Sequence, residues 1–81
     1  MTPTVPVSRA PRFARWISTT RAKSDGPIGD LARDIRYDSS FPTKAQSLAT
    51  VLHYLARRGA APEALAAAVE AWDLYQSEVD L

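Results

Sequence analysis

The sequence contains no cysteine, and this absence excludes disulfides, iron–sulfur clusters and thiol chemistry. Its one histidine, His53, has no acid pair at ligand spacing beside it, so we expect no metal site. The serines have only this histidine as a possible base and stand in no glycine-rich or strand-turn-helix setting. The sequence therefore predicts a protein that is not an enzyme and that uses no metal or other cofactor.

Long hydrophobic runs are also missing. No apolar stretch approaches the roughly 20 residues that a membrane helix requires, and the N-terminal residues lack the continuous apolar segment of a signal peptide. We therefore expect a cytoplasmic protein. The 81 residues have room for a single domain, and a chain of this length buries only about 60% of its unfolded surface, so its stability should be modest.

Apolar residues at helical spacing predict four helices and no strands. Residues 1–8 contain two prolines and no such periodicity, which predicts a disordered or loosely docked tail before a domain at 9–81. The capping and breaking signals place the helices at about Arg9 to Arg21, from Asp25-Gly26-Pro27 onward, from a Thr43–Gln46 capping box to Gly59, and from Pro62 to about Val79.

The last helix is expected to be the element on which the others pack. Phe41, alone in a polar loop, is expected to turn inward between the second and third helices. We interpret Trp72 and Tyr75 as packing residues rather than a ligand-stacking pair, and His53 as a surface residue. The predicted core comprises Phe13, Trp16, Ile17, Leu31, Ile35, Phe41, Leu48, Leu52, Leu55, Leu65, Val69, Trp72 and Tyr75.

Several segments are similar to the YozE family of small bacterial proteins. These segments are Arg12 to Ile17 (RFARWI), Ile28 to Ile35 (IGDLARDI), Ser40 to Pro42, and Ala71 to Tyr75 followed by Ser77 to Val79. The resemblance implies a compact four-helix bundle similar to the sterile alpha motif, hereafter SAM-like, with no catalytic residue. The wider SAM-like class includes nucleic-acid binders and head-to-tail protein-interaction modules, whereas YozE members are largely of unassigned function.

Charge is distributed unevenly along the chain. Residues 1–58 hold ten Lys and Arg against four Asp, whereas residues 59–81 hold five acidic residues and no basic one. This polarity could guide an anionic partner to one side, or let copies associate basic end to acidic end, or serve only solubility.

Two binding hypotheses follow from this distribution, and we favour the first. A protein-interaction module, binding another protein or a second copy, would use the back of the last helix: Ala67, Glu70, Ala71, Leu74 and Glu78. A nucleic-acid accessory would set a basic surface against phosphates. That surface comprises Arg9, Arg12, Arg15 and Lys23, which Arg33, Arg36, Arg57 and Arg58 could join.

Overall fold

The computed structural model describes residues 11–79 and confirms the predicted all-α architecture. Within this range there are four helices and no strand. The helices are α1 (Phe13–Thr20), α2 (Gly26–Tyr37), α3 (Leu48–Arg57) and α4 (Pro62–Val79). The predicted tail at residues 1–8 lies outside the described residues.

The first helix begins later than predicted. Arg12 has an extended backbone (φ −72°, ψ 162°), and its carbonyl accepts the first helical hydrogen bond, from the Trp16 N–H at 2.9 Å. Just before it, the Pro11 carbonyl accepts a hydrogen bond from the Tyr75 hydroxyl at 2.8 Å. This hydrogen bond to α4 holds the chain extended at Pro11. A helix that began at Arg9, as predicted, would have included this proline in its first turn.

The predicted capping box at the start of the third helix is wrong. Residues 42–45 form a turn closed by a hydrogen bond from the Ala45 N–H to the Pro42 carbonyl, 3.0 Å long. The helix is capped instead by Ser47, whose hydroxyl accepts from the Thr50 N–H at 3.2 Å. At its other end the chain turns as predicted at Gly59, which has a left-handed φ of 77°.

Helix α4 is the centre of the bundle, packing against each of the other three helices. Its buried face consists of Ala67, Ala68 and Ala71, small residues that let neighbouring helices approach closely. Val69, which the sequence placed in the core, is 43% exposed because it lies on the opposite side of the helix. Leu48, at the first position of α3, is only partly buried.

An aromatic cluster joins α1 to α4. The ring of Phe13 is completely buried, with its centre 4.9 Å from that of Trp72 and 5.5 Å from that of Tyr75. Trp16 is buried beside it, 5.4 Å from Tyr75. Such pairs stabilise a fold by about 0.5–1.5 kcal/mol each beyond their area burial. Phe41 is also buried and meets Tyr54 of α3 edge to face at 5.2 Å.

The turn between α1 and α2 packs directly on the start of α2. A Cβ atom at Gly29 would lie 1.7 Å from the carbonyl oxygen of Ser24, so no other residue fits there without movement. Arg33 reaches back to the same turn and donates to the carbonyls of Ala22 and Ser24 at 2.8 and 3.0 Å. These contacts fix how the two helices meet, and therefore the shape of the surface between them.

Candidate interaction surfaces

An open recess of about 380 Å³ lies between α1 and the C-terminal end of α2. Its apolar floor includes Ala14 and Ile35, both 6% exposed. The polar groups around the floor are two guanidinium groups, three hydroxyls and one carboxylate. They belong to Arg15, Arg36, Ser18, Ser39, Thr43 and Asp38. The combination of an apolar floor and two cationic side chains is suited to an anionic ligand that also has an apolar part.

The two arginines of the recess come from different helices. Neither forms an ion pair with any residue that the structure describes. The Arg36 guanidinium lies 5.9 Å from the ring centre of Tyr37, the last residue of α2. Because Tyr37 is 80% exposed, this ring contributes little to the core and is available for contacts with a ligand.

The carboxylate of Asp38 is already held by its neighbours. It accepts hydrogen bonds from the Tyr54 hydroxyl and from the Ser40 N–H, and chiefly the first of these lowers the pKa of Asp38. The same bond raises the pKa of Tyr54. Arg58 donates to the Tyr54 hydroxyl at 2.7 Å. Asp38 is therefore ionised at neutral pH, and its charge is partly balanced from the side of α3.

Four exposed basic residues lie on this side of the molecule. The Arg12 guanidinium donates to the Lys44 carbonyl at 3.4 Å, which brings the start of α1 to the loop beside the recess. We define the basic face as Arg12, Arg15, Arg36 and Lys44, all of which are exposed. The sequence had not singled out Lys44, because only the folded loop places it beside α1.

Other members of the predicted nucleic-acid surface lie elsewhere. Lys23 is in the turn beyond the C-terminal end of α1, a helix of eight residues and hence about 12 Å in length, whereas Arg12 precedes its N-terminus. Arg33 is engaged with Asp30 at 2.6 Å and with the preceding turn. Arg9 lies outside the described residues.

The outer side of α4 carries acidic residues. We define the acidic face as Glu63, Glu70 and Asp73, which are exposed together with Val69 between them. At about 100° per residue, Val69 and Asp73 point away from the buried alanines and Glu70 lies at the edge of that side. Glu63 lies in the first turn, four residues before Ala67. The acidic face is thus solvent-accessible along much of α4.

The interaction surface predicted on the back of α4 is wrong for its two alanines. Ala67 is 2% exposed and Ala71 is completely buried, because the bundle itself uses them for packing. Leu74 is 37% exposed and remains at the surface. Glu78 accepts a hydrogen bond from the Trp16 indole N–H at 3.0 Å and pairs with Arg21. Its main contacts therefore tie the end of α4 to α1.

His53 is exposed on α3. Within residues 11–79, no three or more histidine and acidic side chains come together in a way that could hold a metal ion. In the same range, no helix has both the length and the apolar character needed to cross a membrane.

A central α4 flanked by three shorter helices, with charged surfaces on either side, defines a small SAM-like helical domain. The family profile described as YozE SAM-like fold matches residues 13–77, and the chain belongs to this family. The match begins at the first residue of α1 and extends to the last turns of α4. It confirms the family predicted from the sequence, which is not a known enzyme family. No curated protein and no solved structure matches the chain.

Proposed function

We propose that this protein is a non-enzymatic interaction module that binds other protein surfaces through its basic and acidic faces. The observation that supports this most is the position of the two faces on opposite sides of the α1–α4 pair. Helix α1 turns Phe13 toward Trp72 of α4, so Arg15 points away from α4. Helix α4 turns Ala71 inward, so Asp73 points away from the bundle.

A second copy of the chain is the partner that fits both faces at once. The basic face of one copy would receive the acidic face of the next, with guanidinium groups donating to carboxylates. Such a contact is heterologous, and it leaves one free face of each kind at the two ends. Copies could therefore continue to add in a row.

The strength of this contact follows from its exposure. Exposed ion pairs contribute about 0–1 kcal/mol each, and Val69 adds a small apolar area. We therefore expect weak association, with a Kd on the order of 0.1–1 mM at low salt. Because the charges are exposed, added salt should weaken the contact strongly.

Charge reversal tests this proposal. One variant carries Arg12→Glu with Arg15→Glu, and the other carries Glu70→Lys with Asp73→Lys. Each alone should remain monomeric by sedimentation equilibrium, because the basic face of the first variant has no net charge (2 − 2 = 0) and the acidic face of the second becomes positive (2 − 1 = +1). An equimolar mixture should associate, since the unchanged acidic face of the first variant meets the unchanged basic face of the second.

A matched control is Arg57→Glu, which reverses an exposed charge on α3 outside both faces. It should associate as the unmodified chain does. The proposal is wrong if both double variants associate normally, or if their mixture stays monomeric under conditions where the unmodified chain associates.

A further inference from the structure

We propose that the recess between α1 and α2 binds one nucleotide unit of a single-stranded nucleic acid. In this arrangement a phosphate lies against Arg15 and Arg36, and a base stacks on Tyr37. The proposal goes beyond the protein contact proposed above, and it differs from the duplex surface expected from the sequence, which included Lys23 and lacked a stacking residue.

The phosphate part rests on two guanidinium groups that line one recess from two helices. Planar guanidinium groups match phosphate oxygens in pairs of parallel hydrogen bonds. The recess carries two positive charges and the one negative charge of Asp38, and 2 − 1 leaves a net charge of +1. This balance suits the single negative charge of a phosphodiester. The hydroxyls of Ser39 and Thr43 line the same space and add hydrogen-bonding groups.

The base part rests on Tyr37. Its ring is 80% exposed at the end of α2, and the Arg36 guanidinium 5.9 Å from the ring centre connects it to the recess. Exposed aromatic rings beside a cationic groove are the usual means of binding single strands, because every base has a face that can stack. In a duplex those faces are covered by neighbouring bases, so the ring would have no role. The apolar floor, with Ala14 and Ile35, lies where a sugar could pack.

The binding assay uses a fluorescently labelled thymidine strand of about 12 nucleotides, followed by anisotropy in low salt near 50 mM. All proteins carry Glu63→Gln, Glu70→Gln and Asp73→Asn, which neutralise the acidic face and remove the contact between copies. Failure of strand binding and failure of self-association are then separate results.

Three variants, compared with one control, should separate stacking from general charge. Tyr37→Leu should weaken binding about tenfold, whereas Tyr37→Trp should retain it. Arg15→Gln with Arg36→Gln should reduce the slope of log K against log salt by about 0.7, since single strands lose about 0.7 per phosphate contact and both arginines contact one phosphate. The matched control Arg57→Gln should leave both the affinity and the slope unchanged. Because Tyr37 and both arginines are exposed, these variants should fold, and circular dichroism checks that they do.

A duplex of the same length and thymidine monophosphate serve as competitors, and both should compete more weakly than the strand. The proposal is overturned if the strand does not bind, or if Tyr37→Leu has no effect. It is equally overturned if the duplex competes as well as the strand, which would indicate backbone contacts alone. Equal competition by the monophosphate would exclude the strand as the ligand.

Discussion

Replacing Gly29 by alanine sets two physical effects against each other. Helix propensity alone predicts that alanine in the interior of α2 is more stable than glycine by about 1 kcal/mol. The structure predicts the opposite sign, because the new Cβ would lie 1.7 Å from the Ser24 carbonyl oxygen. Cβ atoms essentially never approach a neighbour closer than 3.0 Å, so the turn must move by at least 3.0 − 1.7 = 1.3 Å.

The size of the effect follows from what that movement breaks. Overpacking of this kind costs about 1–3 kcal/mol. The Ser24 carbonyl also accepts a hydrogen bond from Arg33, and a bond from a charged donor contributes about 1.5–3 kcal/mol. After the gain in propensity is subtracted, we expect a net loss of about 2 kcal/mol in the free energy of unfolding. For a domain of this size that corresponds to a fall in Tm of about 10 °C.

The assay is thermal and urea unfolding followed by circular dichroism. A useful control is Gly59→Ala, since Gly59 has a left-handed φ of 77° but open space around it. It should cost about 1–2 kcal/mol through backbone strain without any clash. If Gly29→Ala were as stable as the unmodified chain, or more stable, the packing of the turn on α2 would be refuted.

Two further predictions concern the core and the pH dependence of stability. Trp72→Ala should cost about 3 kcal/mol of unfolding free energy, because it removes the ring that contacts Phe13. An unchanged Tm would show that this aromatic cluster does not hold α1 to α4. The lowered pKa of Asp38 contributes stability that is present above its unfolded pKa and is lost as the pH falls through the folded value. The raised pKa of Tyr54 contributes stability that is present below its unfolded pKa and is lost as the pH rises through the folded value. Tyr54→Phe should therefore flatten both the acid and the alkaline limbs of a stability profile measured by urea unfolding, and unchanged limbs would contradict the role of this hydrogen bond.

The ends of the helices could be predicted from sequence only where a strong local signal, such as a proline or a glycine, determines the position. Pro62 and Gly59 are strong local signals: the structure starts α4 at Pro62, and α3 ends at Arg57, two residues before the left-handed turn at Gly59. The start of α3 was predicted at Thr43, whereas the structure caps the helix at Ser47. The choice between them depends on the turn that follows the buried Phe41, which is a tertiary effect.

The orientation of α4 was harder to predict for a related reason. Periodicity gives most weight to large side chains, and these suggested a stripe that included Val69. The bundle instead turns three alanines inward, since close approach of the neighbouring helices favours small residues over large ones. Ala67 and Ala71, which were expected on an external interaction surface, are consequently used for internal packing.

The candidate surfaces depend on contacts that a linear pattern does not contain. The sequence identified Arg12 and Arg15 as one exposed face, and both are exposed on α1. Their grouping with Lys44 requires the loop between α2 and α3 to fold back on the start of α1. The recess likewise depends on the close packing of the α1–α2 turn against Gly29 of α2. This packing sets the position of the two helices that carry Arg15 and Arg36.

The most direct test of the proposed function is the molecular mass of the unmodified chain in solution. Sedimentation equilibrium should be measured up to about 1 mM protein at low salt and again near 500 mM salt, where exposed charges are screened within a few ångströms. We predict a mass that rises with concentration at low salt and stays that of the monomer at high salt. A monomer throughout the low-salt series would contradict association through faces of opposite charge.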